Sequence, residues 1–303
     1  MSNLFLPEGR LLDTPENQMA CSSIPLLQRA METETILEGR TILCTPEHDL
    51  LVSVGGFTGI IHRTEAALGI REGTTRDIAI LSRVGKPICF TILGIDLSER
   101  TPMLLLSRRR AQELSLRHFL HEVPVYSIIP AIVTHTEHFG AFVDIGCGFV
   151  SMIGVENISI SRISHPGRRF SIGQQIYVLT TGKDHVQGRI FLSHKELLGT
   201  WAENAANFSQ GMTVSGYVRG IKEYGDFIEL APNLTGLSDH TPGLCEDDRV
   251  SIFIKAILPE KTKIKLLVIQ RLEAEARPAP LFYYHTRGVL EHWHYQPPAP
   301  RMR

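Results

Sequence analysis

The chain has 303 residues, 43% of them hydrophobic and 21% charged, with 31 basic against 32 acidic side chains and a net charge of −1. That is room for two or three domains with real cores, and it excludes a globally disordered polymer. It also argues against a protein that grips nucleic acid by phosphate neutralisation alone, so any such binding must combine local patches with stacking.

The longest apolar runs, such as MLLLS and SIIPAIV, are far too short for a membrane span. The opening MSNLFLPEGRLLDTPEN is acidic early and has no continuous apolar stretch, which argues against a signal peptide. Cys21, Cys44, Cys89, Cys147 and Cys245 are scattered, odd in number and never in CxxC spacing. Reduced thiols in a cytoplasmic protein are expected, with no disulfide frame and no zinc site.

In chain order, residues 1–35 predict a helical segment, with Pro25 opening a helix and Gly39 ending it. Three stretches then share one plan: a β-rich opening, a glycine-marked hairpin, a loop and two closing β runs. They occupy residues 36–118, 122–200 and 212–272. Their last runs read MLLLS, RIFLS and KIKLL, and the runs before these read PICFTILGI, QIYVLTTG and RVSIFIKAI, with apolar residues at near-alternate positions. Short strands at this spacing indicate small β-barrels in series. Residues 201–211 predict a helical linker on the spacing of Trp201, Ala205 and Phe208, stopped at Gly211. Residues 273–303 form a proline-broken, aromatic tail, expected to be partly extended and packed back on a barrel.

The second and third stretches repeat an aromatic, a glycine, one residue and a phenylalanine. HFGAFVDIG carries Phe139 and Phe142; EYGDFIEL carries Tyr224 and Phe227. Aromatic rings returning on a short strand are either barrel core or a platform for the bases of a single-stranded nucleic acid. Strict alternation would put Phe139 and Phe142 on opposite faces. Gly140 and Gly225 are expected to relax that phase by taking conformations closed to other residues, leaving Val143, Ile145, Ile228 and Leu230 to point inward.

At these residues the chain resembles the S-one (S1) RNA-binding domain, the repeat of the large RNA-binding protein of the bacterial small ribosomal subunit. FGAFVDIG and RIFLSHKEL carry the resemblance in the second stretch, and GYVRGIKEYGDFIEL with TGL in the third. The first is linked more weakly, through GFTGIIH and MLLLS. The resemblance implies a mainly β protein of three tandem five-stranded OB-fold barrels with short helical linkers, the first barrel degenerate. It also implies single-stranded RNA on one sheet face, with Phe139, Phe142, His185, Arg189, Lys222, Tyr224, Phe227 and Lys263 as RNA-binding residues and His62 as a lesser candidate.

The departures from the family pattern are specific. The histidine that repeats place after Gly-Leu-Val is kept only as His62; Gly154 and Asp239 stand there in the other two, with His240 one step on. His48 and Leu51 replace the ring pair in the first stretch. The Asp and Arg of the last hairpin become His185 and Arg189, with Asp184 out of register, and then Pro259 and Lys263. Each barrel alone is expected to bind weakly.

Arg189, Lys222 and Lys263 read either as phosphate contacts or as solvated surface, and Arg108–Arg109–Arg110 either as an RNA-docking cluster or as the charged start of a helix. His285, His292 and His294 lack acidic or cysteine partners at ligand spacing. Gly146-x-Gly148 and RVGKP do not fit nucleotide-binding loops, and no nucleophile–base constellation is present. The sequence therefore predicts no enzyme, no cofactor and no metal. It predicts an RNA-binding protein of translation with messenger RNA as partner, the small ribosomal subunit as a second candidate partner, and no membrane. The alternative is a protein-interaction scaffold or regulatory factor that has largely lost RNA binding.

Overall fold

The computed structural model describes residues 4–98, 101–273 and 280–296. Residues 1–3 of the N-terminal segment and residues 274–279 and 297–303 of the tail lie outside the described residues. The chain divides into two compact units. One gathers the described residues up to Val123 with Asp144–Val150 and His185–Gly188; the other gathers Pro124–Val143, Ser151–Asp184 and the described residues from Arg189 on.

Helices α1 (Pro15–Ala20) and α2 (Ile24–Glu32) open the chain. The Thr14 hydroxyl caps α1 by accepting the Asn17 N–H. The first barrel comprises β1 (Leu37–Cys44), β2 (Leu50–Val54), β3 (Phe57–Ile61), β4 (Pro87–Asp96) and β5 (Met103–Ser107), with α3 (Ile78–Leu81) between β3 and β4. After α4 (Arg108–His121) comes the second barrel: β6 (Ile128–Glu137), β7 (Gly140–Gly146), β8 (Phe149–Gly154), β9 (Gln175–Asp184) and β10 (Arg189–Ser193). Helix α5 (Trp201–Ala205) leads to the third: β11 (Thr213–Lys222), β12 (Gly225–Ala231), β13 (Leu234–Ser238), β14 (Arg249–Leu258) and β15 (Lys263–Arg271).

All three sheets close with the same strand order, first-second-third-fifth-fourth. In each barrel the third and fifth strands run parallel, and the fourth pairs antiparallel with the first and the fifth. This is the five-stranded OB arrangement, and the fold is mainly β as expected. Closure leaves no free sheet edge. Alternation packs one side of every strand into the barrel: Val52, Phe90 and Leu104 in the first, Val143, Val178 and Ile190 in the second, Val218, Ile252 and Leu266 in the third. Burying each such side chain contributes about 1.5–3 kcal/mol. Two-residue turns with left-handed backbone tie the hairpins at Gly55–Gly56 (φ 55° and 96°) and Cys147–Gly148 (φ 54° and 75°).

Two local expectations fail. Helix α2 ends at Glu32, where Glu34 turns left-handed (φ 46°). Gly39 lies inside β1, where an added Cβ would meet the Ser53 carbonyl oxygen at 2.5 Å; it permits close strand approach and ends no helix. Helix α5 stops short of Gly211 because Asn207 Nδ2 donates to the Glu203 and Asn204 carbonyls (3.2 and 3.4 Å), replacing continued helical bonding.

The arginine run at the start of α4 is consumed by internal pairs. Arg108 is buried against Glu8 (2.7 Å), Arg109 contacts Glu65 (3.4 Å) and Glu113, and Arg110 meets Glu34 (2.8 Å). Burial alone would raise the Glu8 carboxyl, but Arg108 and Arg83 hold it below the usual range. Its neighbour Asp144, which accepts the Glu8 N–H at 2.8 Å, is pushed up to about 7 by burial and by the Glu8 charge.

Candidate nucleic-acid interface

Phe139 and Tyr224 are turn residues. Each occupies the second position of the two-residue turn joining the first two strands of its barrel, immediately before Gly140 or Gly225. Strand alternation therefore does not govern them, which corrects the expected phase argument. Phe139 is 57% and Tyr224 70% exposed. Phe142 and Phe227, on the strands that follow, are half-buried. Within each pair the rings meet edge to face, with centroids 6.0 Å apart for Phe139–Phe142 and 6.2 Å for Tyr224–Phe227.

The two glycines work differently from each other. Gly225 has φ +149°, and a Cβ there would lie 2.3 Å from the Ser238 carbonyl oxygen. Gly140 has no left-handed backbone; its place is set by close approach alone, 2.4 Å from a would-be Cβ to the Ile153 carbonyl oxygen. Of the residues expected inward, Val143, Ile145 and Ile228 are fully buried, whereas Leu230 is half-buried.

Register places further side chains beside the rings. In the third barrel Gly220, Phe227, Leu237, Lys265 and Ala256 pair laterally from strand to strand. Cβ and Cδ2 of Phe227 lie in ordinary contact distance of where a Gly220 Cβ would stand, so the missing side chain leaves the ring room. In the second barrel Phe191, 51% exposed, pairs with Gly182, where an added Cβ would crowd the ring at 3.3 Å, and His135 stacks on Phe142 at 6.2 Å with planes 28° apart. Phe191, Lys265, Leu237 and His135 were not singled out from sequence. Phe191 was legible in the alternation of RIFLS, where Ile190 and Leu192 go inward, and Lys265 in the same alternation of KIKLL.

The remaining sequence candidates are dispersed. Arg189 begins β10 opposite Asp184 and is exposed. Lys222 ends β11 opposite Gly225, at the foot of the Tyr224 turn. Lys263 is exposed on the face of β15 that carries Lys265, but pairs with Leu258, away from the Phe227 row. His185 is exposed, its ring 5.4 Å from that of His121. His62 has its Nδ1 2.9 Å from the Asp49 carboxylate.

In the first barrel the corresponding row reads Leu43, Leu51, Ile60, Leu105 and Gly94. It is wholly aliphatic apart from the glycine. His48, at the turn position of Phe139 and Tyr224, has left-handed backbone (φ 66°) and lies 3.9 Å from Asp77.

A cleft of about 690 Å³ adjoins the third-barrel rings. Tyr224, Phe227 and Lys222 line it together with the Ile160–Ser164 loop and Tyr295. Two of its lining residues, Arg219 and Asp247, belong to a buried charge cluster. Arg169 holds both oxygens of Glu229 (2.8 and 3.0 Å), Arg219 Nε meets Glu229 at 2.8 Å, and Arg219 also contacts Asp247. Burial would raise the Glu229 carboxyl, yet the two guanidinium groups bring it down to about 2.

Segment 280–296 packs along the same unit and brings Tyr295 into the cleft lining. Tyr283 meets His194 Nε2 (3.0 Å), the Tyr284 N–H donates to the Leu197 carbonyl (2.9 Å), and the Tyr295 hydroxyl donates to the Asn233 carbonyl (2.8 Å). No helix among the described residues is long and apolar enough to cross a membrane.

Comparison with known proteins agrees with the sequence resemblance. Residues 122–195 match the family model of the S1 RNA binding domain. Small ribosomal subunit protein bS1 of Leuconostoc lactis is 27% identical over 79% of this chain and 58% of its own length. That of Rhizobium meliloti is 29% identical over 72% of this chain and 41% of its own. The chain thus spans about half the length of these curated relatives. Among solved structures, the crystal structure of a multidomain protein with nucleic acid binding domains from Streptococcus pneumoniae covers 80% of this chain and 75% of that one, at 14% identity and TM-score 0.27. The chain resembles small ribosomal subunit protein bS1 over most of its length, and its second barrel matches the S1 RNA binding domain.

Proposed function

We propose that this protein binds single-stranded RNA through its second and third barrels, in translation, with messenger RNA as ligand and the small ribosomal subunit as the assembly it serves in the cytoplasm. The observation that carries this reading is the two edge-to-face ring pairs, Phe139–Phe142 and Tyr224–Phe227, each with one exposed and one half-buried ring, at the same turn of two barrels. Base stacking on such rings is worth about 1–3 kcal/mol per base and tolerates any sequence. Cations on other strands of the same two barrels, Arg189 on β10, Lys222 on β11 and Lys265 on β15, supply phosphate contacts, and Lys263 and His185 are further candidate contacts. Two weak sites on one chain reach useful affinity because the second binding event is intramolecular. The role is binding without catalysis.

Replacing Phe142 and Phe227 together by alanine tests this. Affinity for an unstructured oligoribonucleotide should fall well beyond the loss from either change alone, with the melting temperature close to that of the parent. Parental affinity in a folded double variant refutes the reading.

A second reading, protein docking, is favoured for the first barrel alone. Its equivalent face is the aliphatic row Leu43–Leu51–Ile60–Leu105, and His62 is tied to Asp49. Titrating short RNA while following backbone amide shifts should move residues around Phe142 and Phe227 and leave that row still.

A further inference from the structure

We infer that the cleft beside Tyr224 and Phe227 is a composite nucleotide site in which the second barrel supplies the phosphate contact, through Arg162, to a base held on the third barrel's rings. This rests on the RNA-binding reading above and deepens it: the two barrels share one site where a repeated module predicts one site each.

The loop that carries Arg162 is pinned on both sides. The Ile160 N–H donates to Asn233 Oδ1 (3.0 Å) and the Ser161 N–H to the Pro232 carbonyl (3.0 Å). Beyond it, the Ser164 hydroxyl donates to Asp247 Oδ2 (2.6 Å). Asn233 is itself buried and fixed, its amide donating to the carbonyls of Lys195 and Gly199 at 2.7 Å each. Between these anchors Arg162 is exposed, lines the cleft, and has no ion-pair partner among the described residues. With the loop backbone already fixed, only the rotamers of the Arg162 side chain remain to be ordered when it meets a phosphate.

The charge balance of the cleft singles the same residue out. Arg219 is committed to Glu229 and Asp247, and Arg168 to Asp247 at 3.1 Å. Arg162 and Lys222 are left facing the single exposed carboxylate of Glu246. The lining thus offers an anionic backbone two donors and an excess positive charge, while Phe227 and Tyr224 offer the base a π-face. A single-stranded polynucleotide presents both features at one nucleotide's spacing.

The test uses the full chain and an unstructured oligouridylate, with affinity measured across a salt series. Arg162→Ala should weaken binding about fivefold and reduce the slope of log K against log salt by about 0.7, the release accompanying one phosphate contact on a single strand. Arg162→Lys should restore the slope. Phe227→Ala should weaken binding at unchanged slope. Arg117→Ala, a charge loss in the other unit, should change neither. An Arg162→Ala slope equal to the parent's, or equal losses from Arg162→Ala and Arg117→Ala, overturns the composite site while leaving the ring-based reading standing. No RNA binding by the parent, or none lost in Phe227→Ala, overturns both.

Discussion

Arg169, from the second barrel, and Glu229, from the third, form a two-pronged ion pair at 2.8 and 3.0 Å, with only 7% and 4% of their side chains exposed. A buried pair of this kind contributes little net stability when intact, because desolvation offsets its Coulomb gain, but removing one partner leaves an uncompensated charge. Glu229→Ala strands the Arg169 guanidinium and leaves Arg219 with Asp247 alone. It should destabilise the unit containing both barrels by about 3–5 kcal/mol, read as a lowered denaturant midpoint. Glu229→Gln should cost less, because one oxygen can still accept.

Acid should weaken this unit in two stages. The His194 Nδ1–H donates to the Ile158 carbonyl (2.7 Å), and its Nε2 lies 3.0 Å from the Tyr283 hydroxyl, which can donate to it when the ring is neutral. Burial, opposed by the Ile158 bond and reinforced by the Arg169 charge, lowers it from 6.5 to about 4. A depressed folded value means that the unfolded chain binds the proton first. The contribution is therefore complete above pH 6.5 and is lost as pH falls to 4, up to about 3 kcal/mol. Glu229, lowered from 4.5 to about 2, follows the same sign: its contribution is complete above 4.5 and is lost towards 2. Denaturant midpoints across this range should show both steps, and His194→Gln should remove the upper one.

RNA affinity should depend only shallowly on salt. Arg162, Lys222, Arg189 and Lys265 are exposed cations of the two ring-bearing barrels. At about 0.7 per neutralised phosphate on a single strand, four contacts give a slope of roughly −3. A much steeper value in a salt titration would mean that another surface carries the binding.

Gly140→Ala should destabilise the second barrel by about 1–3 kcal/mol, measured by thermal melting. The added Cβ would stand 2.4 Å from the Ile153 carbonyl oxygen, a backbone atom that cannot swing aside. Because the backbone there is not left-handed, the loss reports contact between adjacent strands, not a conformational penalty.

Much of the architecture was readable along the chain. The alternation in RIFLS and KIKLL, the Gly55–Gly56 turn and the repeated ring motif are local statements, and neighbours in sequence settle them. The ring residues could be named for the same reason: their turn and the glycine after it are contiguous. What alternation could not say was that Phe139 and Tyr224 sit outside the strands, since a two-residue turn breaks the period just where the ring falls.

Everything that depends on which strand lies beside which was decided by the folded chain alone. Lateral pairing sets Leu237 beside Phe227, Lys265 beside Leu237, and Leu51 beside Ile60, across segments with no fixed separation in sequence. The run Arg108–Arg110 reads in sequence either as an RNA-docking cluster or as the charged start of a helix, and only the fold brings Glu8, Glu65, Glu113 and Glu34 against it. Arg162, in a loop with no motif, became a site residue because Asn233 and Asp247 hold that loop beside rings of another barrel. Strand period and turn chemistry are encoded over a few residues, whereas the pairing of distant charges and the walls of a cleft are set by barrel closure and packing.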